Sequence, residues 1–236
     1  MYKQKSFIAV IPARGGSKGI PRKNIININN KPLIQYSIDA AKESKYIDRI
    51  IVSTEDSDIA KVSIKCGAEV PFLRPKDLAS DTAKTIDVLI HALEELKKDG
   101  SKYDYIVLLQ PTQPLRTSKH IDNAIEKIVL EMEESLVSIT EVSEHPVLIR
   151  TLDQSNKVHS ILETSSTIRR QDFPKYYKVN GSIYINKINN NFNFKTSLND
   201  NQLGFVMDRE FDLDIDEPFD LDVLRLILNS RGNRFS

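Results

Sequence analysis

Two short segments concentrate charge of opposite sign. Residues 11–24, IPARGGSKGIPRKN, carry four cations (Arg14, Lys18, Arg22 and Lys23) and three glycines, with no acid among them. Residues 212–222, DLDIDEPFDLD, carry Asp212, Asp214, Asp216, Asp220 and Asp222. Glycines let a backbone approach a ligand closely, and cations together with free amides favour phosphate. Several converging cations suit a triphosphate, and they also stabilise a pyrophosphate leaving group as charge develops on it. Asp214 and Asp216 are two apart, so on an extended segment both carboxylates face the same way. A hard divalent cation can then sit between them and the phosphates. Each segment also has a plainer reading. The first is a solvated basic turn. The second is an acidic helix N-terminus ahead of EPFDLDVLRL, which accounts for Glu217 and Asp220. Neither G-x-G-x-x-G nor P-loop spacing with Gly-Lys-Ser/Thr occurs, so the loop is not a dinucleotide fingerprint or a kinase-type ATPase loop.

The elements that must position these groups alternate regularly. FIAVIPA (7–13) reads as a buried strand leading into the cationic loop. KPLIQYSIDAAKESK (31–45) reads as a helix with Pro32 near its start. RIIVST (49–54) is a second strand, SDIAKVSIKCGA a helix stopped by Gly67, and AEVPFL a third strand. TIDVLIHALEELKKDG is a helix ending at Gly100, and DYIVLLQP (104–111) a central strand breaking at a proline-rich loop. Residues 118–134 form another helix and SLVSITEV another strand. Such alternation predicts a mostly parallel, right-handedly crossed α/β sheet. From about His145 to Lys178 the rhythm fails, and VLIRTLD and KVHSILE read as hairpin and loop. NGSIYIN (180–186) and LGFVMD (203–208) return to strand, and EPFDLDVLRLILN closes with a helix. The reading is one domain over residues 1–236, with 145–178 as an insertion. A loop after the first strand is where open α/β sheets bind ligands, which favours phosphate over a bare basic turn.

Composition bounds the function. The 236 residues hold 33 basic and 33 acidic side chains, and zero net charge argues against a general nucleic-acid binder. One cysteine, Cys66, cannot form an internal disulfide and fits a reducing compartment. No stretch approaches membrane-spanning length, and the first apolar run is too short for a signal peptide, so the expectation is a soluble cytoplasmic protein. The four histidines are scattered and suggest no metal site.

IPARGGSKGIPRKN resembles the nucleotide-binding signature of the acylneuraminate cytidylyltransferases, the CMP–sialic acid synthetases. The likeness continues through LRPKDLASDTAKT (73–85), LLQPTQPLRT (108–117), RRQDFPKYYKVNGSIYI (169–185) and DLDIDEPFDL (212–221). It implies a three-layer α/β/α nucleotidyltransferase fold, Rossmann-like and glycosyltransferase-A-like. It also implies CTP and a nonulosonic acid as substrates, Mg2+ as cofactor, and a homodimer in which the 145–178 insertion completes the partner's site. By the same likeness Arg14, Ser17, Lys23 and Asn24 hold the triphosphate, with Arg14 and Lys23 stabilising charge on the α-phosphate. Asp214 and Asp216 hold the metal. Arg74, Ala83 and Thr85 fall where the family contacts cytosine, although on pattern alone Thr85 belongs to the start of a helix. Gln110, Arg170 and Tyr184 fall where it holds the sugar acid; a strand residue packed in the core is an equal reading of Tyr184.

Two positions depart from the pattern. Relatives acting on N-acetylneuraminate commonly carry a lysine two residues after their His-Pro, where this chain has Leu148 and then Arg150. Lys178 stands where some relatives have arginine. A sister cytidylyltransferase for legionaminate, pseudaminate or a related keto-sugar acid is the alternative, with QPTQPLR arguing against the pseudaminate branch. The 3-deoxy-manno-octulosonate enzymes rank lower, because they lack the KGIPRKN and NGSIYI wording. A non-catalytic nucleotide-binding module ranks lower still, because a binder need not keep both carboxylates and both cations.

Overall fold

The hydrophobic alternation of the first strand sets the layers. The computed structural model describes residues 1–163, 169 and 172–232. In β1 (Phe7–Pro12), Phe7, Ala9 and Ile11 point to one face of a sheet, and Ile8 and Val10 to the other. All five are fully buried, so both faces must be covered. The further strands of the sheet are β4 (Arg49–Ser53), β5 (Tyr105–Leu108), β6 (Ser135–Glu141), β9 (Tyr177–Lys187) and β10 (Leu203–Val206), in the order β10-β6-β9-β5-β1-β4. Two small ribbons, β2 (Asn27–Ile28) with β3 (Lys31–Pro32) and β7 (Arg150–Leu152) with β8 (Val158–Ser160), lie outside it.

Helices α1 (Leu33–Lys42), α2 (Ser57–Lys65) and α4 (Ser118–Leu130) cover the first face. Their Ile34, Ile38, Ile59, Ile121 and Ile125 pack onto Phe7, Ala9, Val107 and Ile183. Each such fully buried aliphatic side chain contributes about 1.5–3 kcal/mol of apolar transfer. Helix α3 (Thr85–Lys98) covers the opposite face through Ile86, Leu89, Ile90 and Leu96. The result is the expected three-layer α/β/α arrangement. Helix α5 (Pro218–Gly232) forms a third core with Ile20, Ile28, Leu33, Leu115 and Ile215, which clamps the cationic loop onto the acidic segment.

Three details differ from the sequence reading. AEVPFL is not a strand. Glu69 makes a single parallel bridge to Ile51, and Pro71 then lacks the N–H that a ladder needs. The first helix starts at Leu33 rather than Lys31, because Lys31 and Pro32 pair with β2. The fourth ends at Leu130, and Met132 beyond it takes a left-handed φ of 56°.

The sheet is mostly parallel, and β9 is the exception, running antiparallel to both neighbours. A register shift interrupts its pairing with β6 between Val137 and Ile139. Side chains replace the lost ladder bonds there. Ser138 Oγ accepts from Ile183 N at 2.7 Å and donates to Asn180 Oδ1 at 2.5 Å. Asn180 Oδ1 also accepts from Ser182 N (3.0 Å), and its amide donates to Thr140 Oγ1 (2.8 Å). The NGS of NGSIYI is therefore the chemistry of a β-bulge. Replacing Asn180 by Ala strands several buried partners, and the expected loss is about 2–4 kcal/mol, read from the midpoint of urea unfolding. A loss under about 0.5 kcal/mol, the level of an ordinary surface change, would show the bulge to be held by backbone alone.

Candidate active site

Parallel strands β1, β4 and β5 end at one edge of the sheet, so the segments after them converge there. The loop after β1 is anchored through its own backbone. Gly15 N donates to Glu55 Oε1 at 2.7 Å, and the other Glu55 oxygen accepts from Arg74 Nη2 at 2.8 Å. Glu55 thus links the loops after β1 and β4 to the buried guanidinium of Arg74. Asn24 Nδ2 donates to the Arg14 carbonyl at 3.0 Å and closes the loop on itself.

Together these segments wall a cavity of about 300 Å3, lined by Arg14, Ser17, Lys23, Asn24, Arg74, Ala83 and Thr85 among others. The structure therefore brings together all seven residues that the family resemblance implies for the nucleotide. Thr85 opens α3, so its helix-start position and its place on the cavity wall coexist. Gln110, just past β5, lines this cavity and also a second one of about 370 Å3 that holds Gln113, Lys178, Tyr184, Asp212 and Asp214. Gln110 and Tyr184 meet there. Tyr184 is buried in the core and donates its hydroxyl to Asn199 Oδ1 (3.0 Å), so its packing and its place on the cavity coexist too. Arg170 lies outside the described residues.

The four loop cations take three separate sets of partners. Arg22 bonds Asp56 (2.6 Å) and Asp58 (3.0 Å) at the N-terminus of α2, away from the cavity lining. Lys18 and Arg14 both pair with Asp81, at 2.9 and 2.8 Å. Lys23, largely shielded from solvent, donates to the Ile215 carbonyl (2.5 Å) and to Asp216 Oδ1 (3.0 Å). Backbone contact reinforces this last junction, because a Cβ on Gly19 would collide with the Asp216 carbonyl. Asp220 has the helix-terminal role expected of it, accepting from Asp216 N (2.8 Å) and Glu217 N (2.7 Å).

Electrostatics at the cleft follow from these neighbours. Desolvation against the cleft wall pushes the Asp214 carboxyl above the usual carboxylate range, although part of the residue faces open solvent. The Asp216 charge pushes the same way, while Thr112 and Lys23 oppose it. Lys18, and then Arg14, hold Asp81 below that range. Burial raises the Tyr184 phenol, with Asp214 adding to the effect. It likewise raises the half-buried Cys66 thiol, which suits a packed residue rather than a nucleophile. Lys178, the departure noted above, pairs with Asp212 at 2.9 Å.

Sequence reasoning missed Asp81, Glu55, Gln113 and Gly19. Asp81 stood in a quoted motif, LASDTAKT, as a lone acid opposite a basic loop. Glu55 left no signal, because its role depends on two loops meeting.

An open α/β sheet with a basic, glycine-bearing loop after its first strand and paired carboxylates across the cleft defines a nucleotidyltransferase. Comparison makes the assignment finer. The family model described as Cytidylyltransferase matches residues 8–226. A pseudaminic acid cytidylyltransferase of Campylobacter jejuni is 35% identical over 225 residues, covering 93% of this chain and 95% of its own. A CMP-N,N'-diacetyllegionaminic acid synthase of Legionella pneumophila is 41% identical over 180 residues, covering 76% and 77%. An N-acylneuraminate cytidylyltransferase of Escherichia coli O18:K1:H7 is 33% identical over 229 residues, covering 97% of this chain and 53% of its own. Among solved structures, a CMP:2-keto-3-deoxy-manno-octonic acid synthetase complexed with CTP shares the fold with a TM-score of 0.73 at 17% identity, covering 96% of this chain and 99% of its own. The chain belongs to the cytidylyltransferase family.

Asp81 pairs with Arg14 and Lys18 beside the cavity, so an anionic ligand there would compete with it. Asp81→Asn is expected to tighten CTP binding roughly two- to five-fold, the scale on which exposed ion pairs count. Isothermal titration at two salt concentrations measures it, and unchanged or weaker binding would remove Asp81 from competition with the ligand.

Proposed function

We propose that the protein joins CTP to a nonulosonic, sialic-type acid, forming the CMP-sugar and releasing diphosphate. The observation that carries this reading is the pair of cavities meeting at Gln110. One is ringed by Arg14, Ser17, Lys23 and Arg74, and the other holds Tyr184 and Asp214. A long anionic nucleotide and a polar sugar acid can lie end to end across them.

In the reaction the anomeric C2 hydroxyl attacks the α-phosphorus of CTP. The C2–O–P bond forms, the bond to the β-phosphate bridging oxygen breaks, and diphosphate leaves with the electron pair while the hydroxyl proton passes to water. Arg14 and Lys23 offset charge that develops on the phosphoryl oxygens and the leaving group. Ser17 and Asn24 orient the phosphate chain, and Arg74, Ala83 and Thr85 bound the base. Gln110, Arg170 and Tyr184 orient the acid. The donor set fits Mg2+: Asp214 and Asp216 are hard carboxylates two residues apart, the Asp216 charge disfavours a charged Asp214, and a divalent ion would offset that repulsion. Held by Asp214 and Asp216, Mg2+ would neutralise phosphate charge as a Lewis acid.

Relatives named for pseudaminic, legionaminic and N-acylneuraminic acids match at 33 to 41% identity, so overall similarity does not separate the three sugars. The argument against the pseudaminate branch rests on QPTQPLR alone. A lone cysteine supports a cytoplasmic setting, and among the described residues no helix is long and apolar enough to cross a membrane.

The insertion supports the homodimer. Leu148, Ile149, Leu152, Val158 and Ile161 stand exposed on and beside the β7–β8 hairpin, and a second copy would cover them. Arg150 folds back onto the carbonyls of Val147 (2.6 Å) and Ile149 (2.9 Å), so it does not simply replace the missing lysine. Leu152→Asp with Val158→Asp should convert a dimer to monomer in light scattering. A pair of mutant chains that still dimerises would place the interface elsewhere.

Diphosphate release should need CTP, Mg2+ and a nonulosonic acid together. Nucleotide binding without release for any acid would favour a binding module. Asp216→Asn is expected to cut kcat about 100-fold or more, while the melting temperature moves by less than about 3 °C. Parallel loss of both would return Asp216 to a structural role.

A further inference from the structure

Resting on the nonulosonic-acid reading, we propose that Gln113 reads a hydroxyl or acylamino substituent of the sugar acid and so helps to decide which acid is accepted. Gln113 is 1% exposed, yet its Oε1 has no hydrogen-bond partner among the described residues. Buried amides ordinarily find partners, and this one lines the cavity that also holds Gln110, Tyr184 and Asp214.

Several other polar groups of that cavity are already engaged. Tyr184 donates to Asn199, Lys178 pairs with Asp212, and Asn180 is committed to the β-bulge. Gln113 and Gln110 face the same wall. At Gly181, where φ is +75°, an added Cβ would lie 3.0 Å from Gln110 Oε1 and 3.7 Å from Gln113 Nε2. Glycine keeps the floor low enough for both amides to lie over it. An amide offers an acceptor and donors together, which matches an acylamino group or a hydroxyl but not a bare hydrocarbon.

The loop carrying Gln113 is rigid. Gln113 N donates to the Gln110 carbonyl at 3.3 Å, and Pro111 and Pro114 restrict the turn. Beneath it the buried Arg116 donates to the carbonyls of Ser182 (2.6 Å) and Gln110 (3.5 Å), and to Ser37 Oγ (2.6 Å). Gln113 is thus held before the ligand arrives, which is what discrimination between similar sugars needs.

The test uses the intact enzyme with Gln113→Met, which keeps bulk and removes polarity, and Gln113→Ala. KM and kcat would be measured for N-acetylneuraminate, diacetyllegionaminate and pseudaminate, with CTP affinity by titration as the check on folding. The expected result is a rise of about ten-fold or more in KM for the preferred acid and a changed ranking of acids, with CTP affinity within about two-fold. Unchanged KM and ranking would overturn the inference alone, as would CTP affinity and melting temperature falling in step with activity in both variants. A wild-type enzyme that turns over none of the acids would overturn the functional reading, and this inference with it.

Discussion

The site depends on one junction between segments almost two hundred residues apart. Lys23 reaches both the Ile215 carbonyl and Asp216, and Gly19 lies so close to the Asp216 carbonyl that no side chain fits. Neither segment has regular structure over most of its length. Their relative position is fixed from below, where Ile20, Ile215, Leu221 and Leu224 share one apolar cluster with Leu33 and Leu115. Burial supplies the stability, and the ion pair supplies the register. The same packing lets two carboxylates and a lysine stand close together before any ligand arrives.

A second group of buried polar contacts serves the other half of the cleft. Arg116 carries a guanidinium in the interior, and burial lowers its pKa to about 9. Its hydrogen bonds run to backbone carbonyls and a serine hydroxyl rather than to a carboxylate. It therefore ties the end of β5 to the bulge of β9. Such a group is costly to bury, the more so because its Nε has no hydrogen-bond partner among the described residues, and its directional bonds define one geometry more sharply than apolar packing does. Functional sites commonly bear such costs.

Much of this was legible in the sequence because it was local. Alternating apolar runs gave strands and helices, and Gly67 and Gly100 ended helices with φ of +93° and +83°. The seven nucleotide-side residues sat in motifs, and the structure gathers them on one cavity. Long-range facts were hidden. AEVPFL has strand composition, but Pro71 stops the ladder. The direction of β9 cannot be read from NGSIYIN, since a buried strand looks the same in either sense. Glu55 and Asp81 acquire their roles only when loops from different strands meet.

The reversed direction of β9 has a consequence for how such proteins diversify. Strand β6 runs out towards the ligand edge and β9 starts from it, so the chain between Glu141 and Tyr177 leaves and re-enters the sheet at the rim of the cleft. That segment is in effect the loop of one oversized hairpin. Lengthening or shortening it threads nothing through the central sheet and disturbs none of that sheet's ladders. The same excursion rejoins the sheet at Tyr177, directly before Lys178 and Asn180 of the cleft lining. Divergence in substrate can therefore accumulate in an appendage while the scaffold that holds the nucleotide stays unchanged.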